Sequence, residues 1–295
     1  MQAPTESASG NKDGSSESRT LNFSSKDGTT LFATLYPTAN ANPKANAIIV
    51  HGYADHGGRY EEVARTLNAA GLNALCVDLR GHGRSDGDRG LVKKFDDYLE
   101  DVEAAIAQLV EHCGDRDVLL VGHSNGGLIA LRMLADPFRC PKTIKAAVIS
   151  SPFLALQIKA PAKVLFAKVA SVLLPKLALP NEIESADLSH DQEKVREHEH
   201  DTLCHDVASA RWFTEAVAAQ NWVEEFAHRI AVPSLWVVAG TDKLADPAQT
   251  RKVHMRLSSE SSFHEFPEMF HEVFNETERA KVFKLVTDFC NQKFS

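Results

Sequence analysis

The sequence has no C-x-x-C pair, and its five cysteines (Cys76, Cys113, Cys140, Cys204 and Cys290) are odd in number and scattered. This argues against a disulfide framework and points to reduced thiols in a reducing compartment. There is no excess of basic residues. The net charge is −8, whereas a nucleic-acid partner calls for a basic patch. The first twenty residues, MQAPTESASGNKDGSSESRT, lack the apolar stretch of a signal peptide. They are polar and rich in Ser and Gly, so residues 1–20 are read as a disordered tail and the protein as cytoplasmic. No internal repeat is present. The longest apolar stretch, Ala160 to Leu179, is interrupted by Lys163, Lys168, Pro175 and Lys176, which is too broken to span a bilayer.

What is present suits one large domain, or a domain with an inserted cap. The chain has 295 residues, 43% of them apolar, enough for a sizeable core. Its organising stretch is DVLLVGHSNGGLIALRML, from Asp117 to Leu134. An apolar β-type run from Val118 to Val121 meets Gly122-His123-Ser124-Asn125-Gly126, and a helical run follows from Leu128. Strand, sharp turn and helix with a serine at the apex is the context that turns a bare G-x-S-x-G into a nucleophile elbow. The serine must adopt a backbone conformation that non-glycine residues seldom enter. Gly122 and Gly126 stand where a Cβ would crowd the turn. The new helix points its free N–H groups at developing negative charge.

Around the elbow, strands and helices alternate. Leu21–Ser25 and Thr30–Tyr36 flank Lys26-Asp27-Gly28 as a β-hairpin. Buried strands are expected at Ala47–Val50, Asn73–Val77, Val118–Val121, Ile144–Ser150, Ser234–Val238 and Ser262–Phe266. Helices are expected at Glu61–Ala70, at Asp96–His112 (capped by Asp96 or Asp97 and ended by Gly114), after Asp246-Pro247, and at Glu276–Phe289. Continuous apolar strands with intervening helices predict an α/β fold with a mostly parallel eight-stranded sheet covered on both faces. Residues 151–233 separate two of these strands, where a parallel crossover needs only about a dozen or more. The surplus is read as an inserted helical cap without strands, residues 152–211, lying over the edge that carries the elbow. The hydrolase core then comprises 21–151 and 212–295.

A serine hydroxyl is a weak nucleophile until a base takes its proton. In an elbow of this kind the chain order is serine, acid, histidine. Asp242 directly follows the strand at Ser234–Val238 and is the expected acid. Its rival Asp246 stands before Pro247, where a helix cap explains it better. His271 lies between the last strand and the last helix and is the expected base. His264 is inside a strand and His254 on a helix. The oxyanion donors are expected to be the backbone N–H groups of Asn125 and of Tyr53, the latter in the loop opened by His51-Gly52. DLRGHGRS, Asp78 to Ser85, precedes the elbow and is read as a structural brace. REHEHDTLCHD, Arg196 to Asp206, is dense in potential metal ligands but matches no standard spacing, so no metal and no cofactor are expected. The apolar cap stretch either packs against the core or forms a roof that holds an acyl chain or touches a lipid surface.

Taken in order, HGYADHGGRY, DLRGHGRSDG, GHSNGG, AGTDKLAD and FHEVFNE resemble the monoacylglycerol lipase and lysophospholipase branch of the α/β-hydrolases, over residues 21–295. The resemblance implies a serine esterase acting on a single-chain acylglycerol or lysophospholipid, with Ser124, Asp242 and His271 as triad and Tyr53 and Asn125 as oxyanion donors. Asn125 departs from the methionine common in that branch, which changes the pocket but not the backbone donor. Tyr53 is bulkier than the residue often found there and is expected to narrow the acyl entrance. The rival readings are another acyl hydrolase on the same fold (aminopeptidase, amidase or thioesterase) and a non-catalytic binding protein.

Overall fold

The computed structural model describes residues 17–156 and 170–295. Its main sheet has eight strands in the order β1-β2-β4-β3-β5-β6-β9-β10. These are β1 (Arg19–Ser24), β2 (Thr30–Tyr36), β3 (Ala45–Val50), β4 (Leu72–Asp78), β5 (Val118–His123), β6 (Ile144–Ser150), β9 (Ser234–Ala239) and β10 (Ser261–Phe266). Only the pairings of β1 with β2 and of β2 with β4 are antiparallel; the rest are parallel. The hairpin turns at Gly28, φ +87°, a conformation that glycine enters without a Cβ penalty.

The central strands are apolar throughout because both of their faces are covered. Ile48 and Val50 of β3 join the core on one face, and Ala47 and Ile49 the core on the other, as the two-residue period of a strand requires. Helices α2 (Asp96–Cys113) and α3 (Asn125–Leu134) cover the first face with Leu99, Val102, Leu109, Leu128 and Leu131. Helices α1 (Glu61–Ala69) and α7 (Arg279–Lys293) cover the second with Val63, Leu67, Val282 and Val286. Helix α6 (Pro247–His254) starts at Asp246, whose side chain accepts the Ala248 N–H at 2.8 Å.

Three expectations are corrected. Neither Asp96 nor Asp97 caps α2 in the expected sense: Phe95 is the N-cap, already with helical φ/ψ, and no side chain bonds forward. From inside the first turn Asp97 reaches back to the Lys94 N–H at 3.1 Å, and Asp96 pairs with Arg132 at 3.1 Å. The insertion between β6 and β9 is not free of strands. Strands β7 (Ala178–Pro180) and β8 (Val207–Ser209) pair antiparallel, each too short to show alternation in sequence. They accompany α4 (Gln192–His200) and α5 (Ala210–Phe226), and α5 begins with Ser209 capping the Trp212 N–H at 3.1 Å. Finally, β1 starts at Arg19, inside the stretch read as tail; residues 1–16 of that stretch, and residues 157–169 of the apolar cap segment, lie outside the described residues.

Residues 205–209 of the insertion bond to the loops that follow β3 and β4. The His205 N–H donates to Ala54 O at 3.1 Å, and the Ser209 N–H to Gly90 O at 2.9 Å. Among the described residues no helix is long and apolar enough to cross a membrane.

Candidate active site

The turn between β5 and α3 puts Ser124 at φ 52°, ψ −115°, a strained state costing of order 1–3 kcal/mol that persists only where its surroundings enforce it. They do so through the backbone. The Ser124 N–H donates to Ser150 O at 2.9 Å, and Ser124 O accepts from Phe153 N–H at 2.9 Å and Leu128 N–H at 3.0 Å. The two elbow glycines are dictated by contact: a Cβ on Gly126 would lie 2.1 Å from Val50 O, and one on Gly122 2.4 Å from Gly126 O.

Asp242 leaves β9 and His271 follows β10, and the two meet buried, with His271 Nδ1 2.7 Å from Asp242 Oδ2. The other carboxylate oxygen accepts the Leu244 and Ala245 N–H groups at 2.8 and 2.9 Å. A carboxylate facing Nδ1 accepts a hydrogen bond from the Nδ1–H, which leaves the Nε2 lone pair free for a nucleophile. Burial alone would push the Asp242 carboxyl up, but His271 and these N–H donors hold it below the ordinary value. Burial alone would likewise depress His271. The negative charges of Asp242 and, beyond it, Glu272 and Asp55 raise it instead. The ring of His123, adjacent to Ser124, lies 4.9 Å from that of His271. Burial and the neighbouring His271 bring His123 down to about 4, so it packs there as a neutral ring, its Nδ1 3.0 Å from Ser150 Oγ. Ser124 Oγ makes no hydrogen bond among the described residues. Such contacts often tighten only when substrate is bound.

The loop after β3 runs beside the nucleophile: a Cβ on Gly52 would sit 3.4 Å from Ser124 Cβ. His51 holds this loop to the next. Its Nε2 accepts the Leu79 N–H at 3.0 Å, so its proton is on Nδ1 and faces Gly52 O at 2.7 Å. Among the described residues neither the Tyr53 nor the Asn125 N–H donates a hydrogen bond. The DLRGHGRS segment braces this arrangement. Asp78 accepts the Gly57 and Arg84 N–H groups at 2.7 and 2.8 Å, and Arg80 and Asp101 form a buried pair at 2.6 Å. Asp246 is occupied as the α6 cap, and His254 packs among Trp236 and Phe263.

Sequence reasoning gave no role to four residues that hold the histidine loop. Arg59 bonds both oxygens of Glu272 at 2.7 Å and Asp55 at 3.2 Å. The Tyr60 hydroxyl donates to the second Asp55 oxygen at 2.9 Å. Glu272 follows the candidate base directly, so this buried clamp fixes the loop that carries it. Its signal was the charged pattern in HGYADHGGRY, which has no meaning until the partner, distant in sequence, is known.

Within REHEHDTLCHD, Asp201 and Cys204 do gather with His56, their ligand atoms within 4.8 Å of one another. The protonation pattern disfavours a metal. The Gly58 N–H donates to His56 Nδ1 at 3.1 Å, so the ring proton is on Nε2 and is directed at Asp201 Oδ2, 2.8 Å away. A metal would need that lone pair, and burial pushes the Cys204 thiol up, away from thiolate.

A mostly parallel eight-stranded sheet, a serine on a strained strand–helix elbow and a buried histidine–aspartate pair on later loops define an α/β-hydrolase. The chain belongs to the family described as serine aminopeptidase, S33, which matches residues 41–278, and lies in its monoacylglycerol lipase-like branch. It is 31% identical to phospholipase YtpA of Bacillus subtilis over 85% of this chain and 96% of that protein. It is also 31% identical to a monoacylglycerol lipase of Mycolicibacterium smegmatis, over 85% of this chain and 89% of the relative. The crystal structure of Paleococcus ferrophilus monoacylglycerol lipase superposes with a TM-score of 0.79 at 28% identity, over 89% of this chain and 99% of that one.

The raised His271 carries a prediction. If His271 is the base it works only when neutral, so the acid limb of the kcat/KM profile is expected above pH 6.5, the ordinary value. Glu272→Gln removes one of the charges that raise it and should move the limb toward lower pH. A pH–rate profile in which the limb stays put in the variant would refute the electrostatic role of Glu272.

Proposed function

We propose that this protein is a cofactor-independent serine hydrolase that cleaves carboxylic esters of single-chain lipids, monoacylglycerols or lysophospholipids, through an acyl-enzyme. Ser124 Oγ attacks the ester carbonyl carbon as His271 Nε2 takes its proton, and Asp242 orients and stabilises the imidazolium. The Tyr53 and Asn125 N–H groups hold the oxyanion, each worth about 2.7–4 kcal/mol of barrier. The alcohol leaves with the proton from His271. Water, deprotonated by the same nitrogen, attacks the acyl-enzyme and releases the fatty acid. The observation that carries this reading is the buried Asp242–His271 pair at 2.7 Å beside the strained elbow of Ser124. Its lipid part is supported by the similarity to a phospholipase and to monoacylglycerol lipases.

The rival on the same fold is an aminopeptidase, which needs an acidic group free to bind a substrate amine. The buried acids whose charge acts on His271 are engaged: Asp242 by His271 itself at 2.7 Å, and Asp55 and Glu272 by Arg59. Turnover of a medium-chain ester against an aminoacyl arylamide tests this; faster turnover of the arylamide would overturn the ester assignment.

The segment 152–211 acts in this reading as a cap that meets a lipid surface, on a protein of the cytoplasm whose five cysteines are all unpaired. Val172, Leu173 and Leu174 support it, 76%, 71% and 58% exposed, since adjacent large apolar side chains facing water mark an interaction surface. Leu173→Asp is expected to lower the rate on monoacylglycerol in vesicles about tenfold, through weaker partitioning, and to leave a soluble short-chain ester untouched. Equal losses on both substrates would refute the contact.

A further inference from the structure

Three chain segments meet at the Tyr53 hydroxyl. It donates to Val207 O of β8 at 2.9 Å, with Gly90 O 3.2 Å away as a second acceptor. The ring stacks on Trp212 of α5 with centroids 3.5 Å apart and meets His205 edge-on at 5.3 Å. Burial pushes the phenol well above its ordinary value, so it remains a donor at any working pH. Gly90 makes the approach possible: at φ +70°, a Cβ there would lie 2.5 Å from Val207 O and 2.9 Å from Tyr53 Oη.

The neighbouring residues of the loop are held by the same part of the cap. Ala54 has φ +62°, a left-handed conformation that an alanine keeps only under outside constraint. Its carbonyl accepts the His205 N–H at 3.1 Å. Two residues on, His56 Nε2–H bonds Asp201 at 2.8 Å. Tyr53, Ala54 and His56 are thus each tied to residues 201–207 of the cap.

We propose that the Tyr53 side chain is a positioning group for the oxyanion hole, and that residues 201–209 of the cap act as a strap that completes the hole by fixing the strained loop on which the Tyr53 N–H is carried. The idea rests on reading that N–H as an oxyanion donor. A displacement of about 1 Å in such a group can cost about a hundredfold in rate. The strap therefore contributes to the chemical step, where a lid that only covered the site would act on access.

The test compares Tyr53→Phe with wild type in the full chain, using a soluble short-chain ester and a trifluoromethyl ketone whose serine hemiketal places an oxyanion in the hole. Tyr53→Phe keeps the ring stack and loses the hydroxyl. We expect kcat to fall about ten- to a hundredfold with KM within about twofold, and the ketone to bind more weakly by the same factor as kcat/KM. Inhibition by the fatty-acid product, which carries no tetrahedral oxyanion, should not change. Unchanged kcat and ketone affinity in folded Tyr53→Phe overturn the proposal. Should Tyr53→Phe not fold, Asp201 decides. Asp201→Ala removes the acceptor of His56 and should lower kcat, whereas Asp201→Asn keeps an oxygen there and should restore it; equal kcat in the two overturns the strap. Ser124→Ala, run alongside, separates the two readings. Activity without Ser124 refutes the site itself. Its loss, with Tyr53→Phe unaffected, refutes only the strap.

Discussion

Ser124→Ala is expected to lower kcat/KM for a long-chain monoacylglycerol by about 10⁴-fold or more, because in the proposed mechanism Ser124 is the nucleophile of a triad, and removing such a nucleophile disables the whole unit while binding and the proposed oxyanion donors remain. Stability should hardly change. The Ser124 hydroxyl has no hydrogen-bond partner among the described residues, so its removal strands no buried group, and the backbone bonds from Ser150, Phe153 and Leu128 persist. The measurement is turnover of a monoacylglycerol series, a lysophospholipid and a short soluble ester by both proteins, with melting curves. Fast turnover of monoacylglycerols lost in the variant supports the triad and the lipid assignment together. Turnover of short esters alone, still dependent on Ser124, keeps the mechanism and removes the lipid. Activity that survives the substitution refutes Ser124 as the nucleophile.

Arg59→Met should produce the largest loss of stability, about 3–5 kcal/mol, the usual result of removing one partner from a buried ion pair. That is a large share of a typical total of about 5–15 kcal/mol. Arg59 is the cation bound to two buried carboxylates, Asp55 and Glu272. Burial pushes both upward, and Arg59 prevails and holds both below their ordinary values. In the wild type their contribution is therefore complete above the ordinary glutamate value of 4.5 and is lost as pH falls through the lowered folded values. Without Arg59 burial is expected to prevail at Glu272, whose chief stabilising charge is Arg59, and to raise its folded value above the unfolded one, while Asp55 keeps its bonds from the His56 N–H and the Tyr60 hydroxyl. The sign then reverses: the variant takes up protons on folding and gains stability as pH drops from 7 toward 5. Urea midpoints at pH 7 and 5.5 check this. A variant whose midpoint is unchanged at pH 7, or falls further at 5.5, would refute the role of the clamp. The same change should cost activity, since Glu272 is the neighbour of His271.

Much of the fold was legible because the relevant signals are local. The apolar runs that became β3, β5, β6 and β9, the glycine after α2 and the Asp246-Pro247 start of α6 each reflect interactions within a few residues. The elbow was legible for the same reason, since Gly122 and Gly126 are required by atoms of the same turn and of the adjoining strand end. The order serine, acid, histidine then pointed to Asp242 and His271, which the fold brings to 2.7 Å. The start of α2 was misread because cap geometry depends on where φ/ψ turn helical, and β7 and β8 were missed because three residues carry no period.

The sequence by itself therefore determined the order of the main-sheet strands, the elbow and the candidates for acid and base, all of which rest on short-range sterics and burial periodicity. Tertiary structure alone decided the rest. The clamp joins Arg59 to Glu272, and the strap joins Tyr53 to Val207 and His56 to Asp201. Each consists of polar contacts between residues far apart in the chain. Their energies depend on burial and on angles set by the whole fold, and a single side chain written in a sequence carries no sign of the partner that will neutralise it.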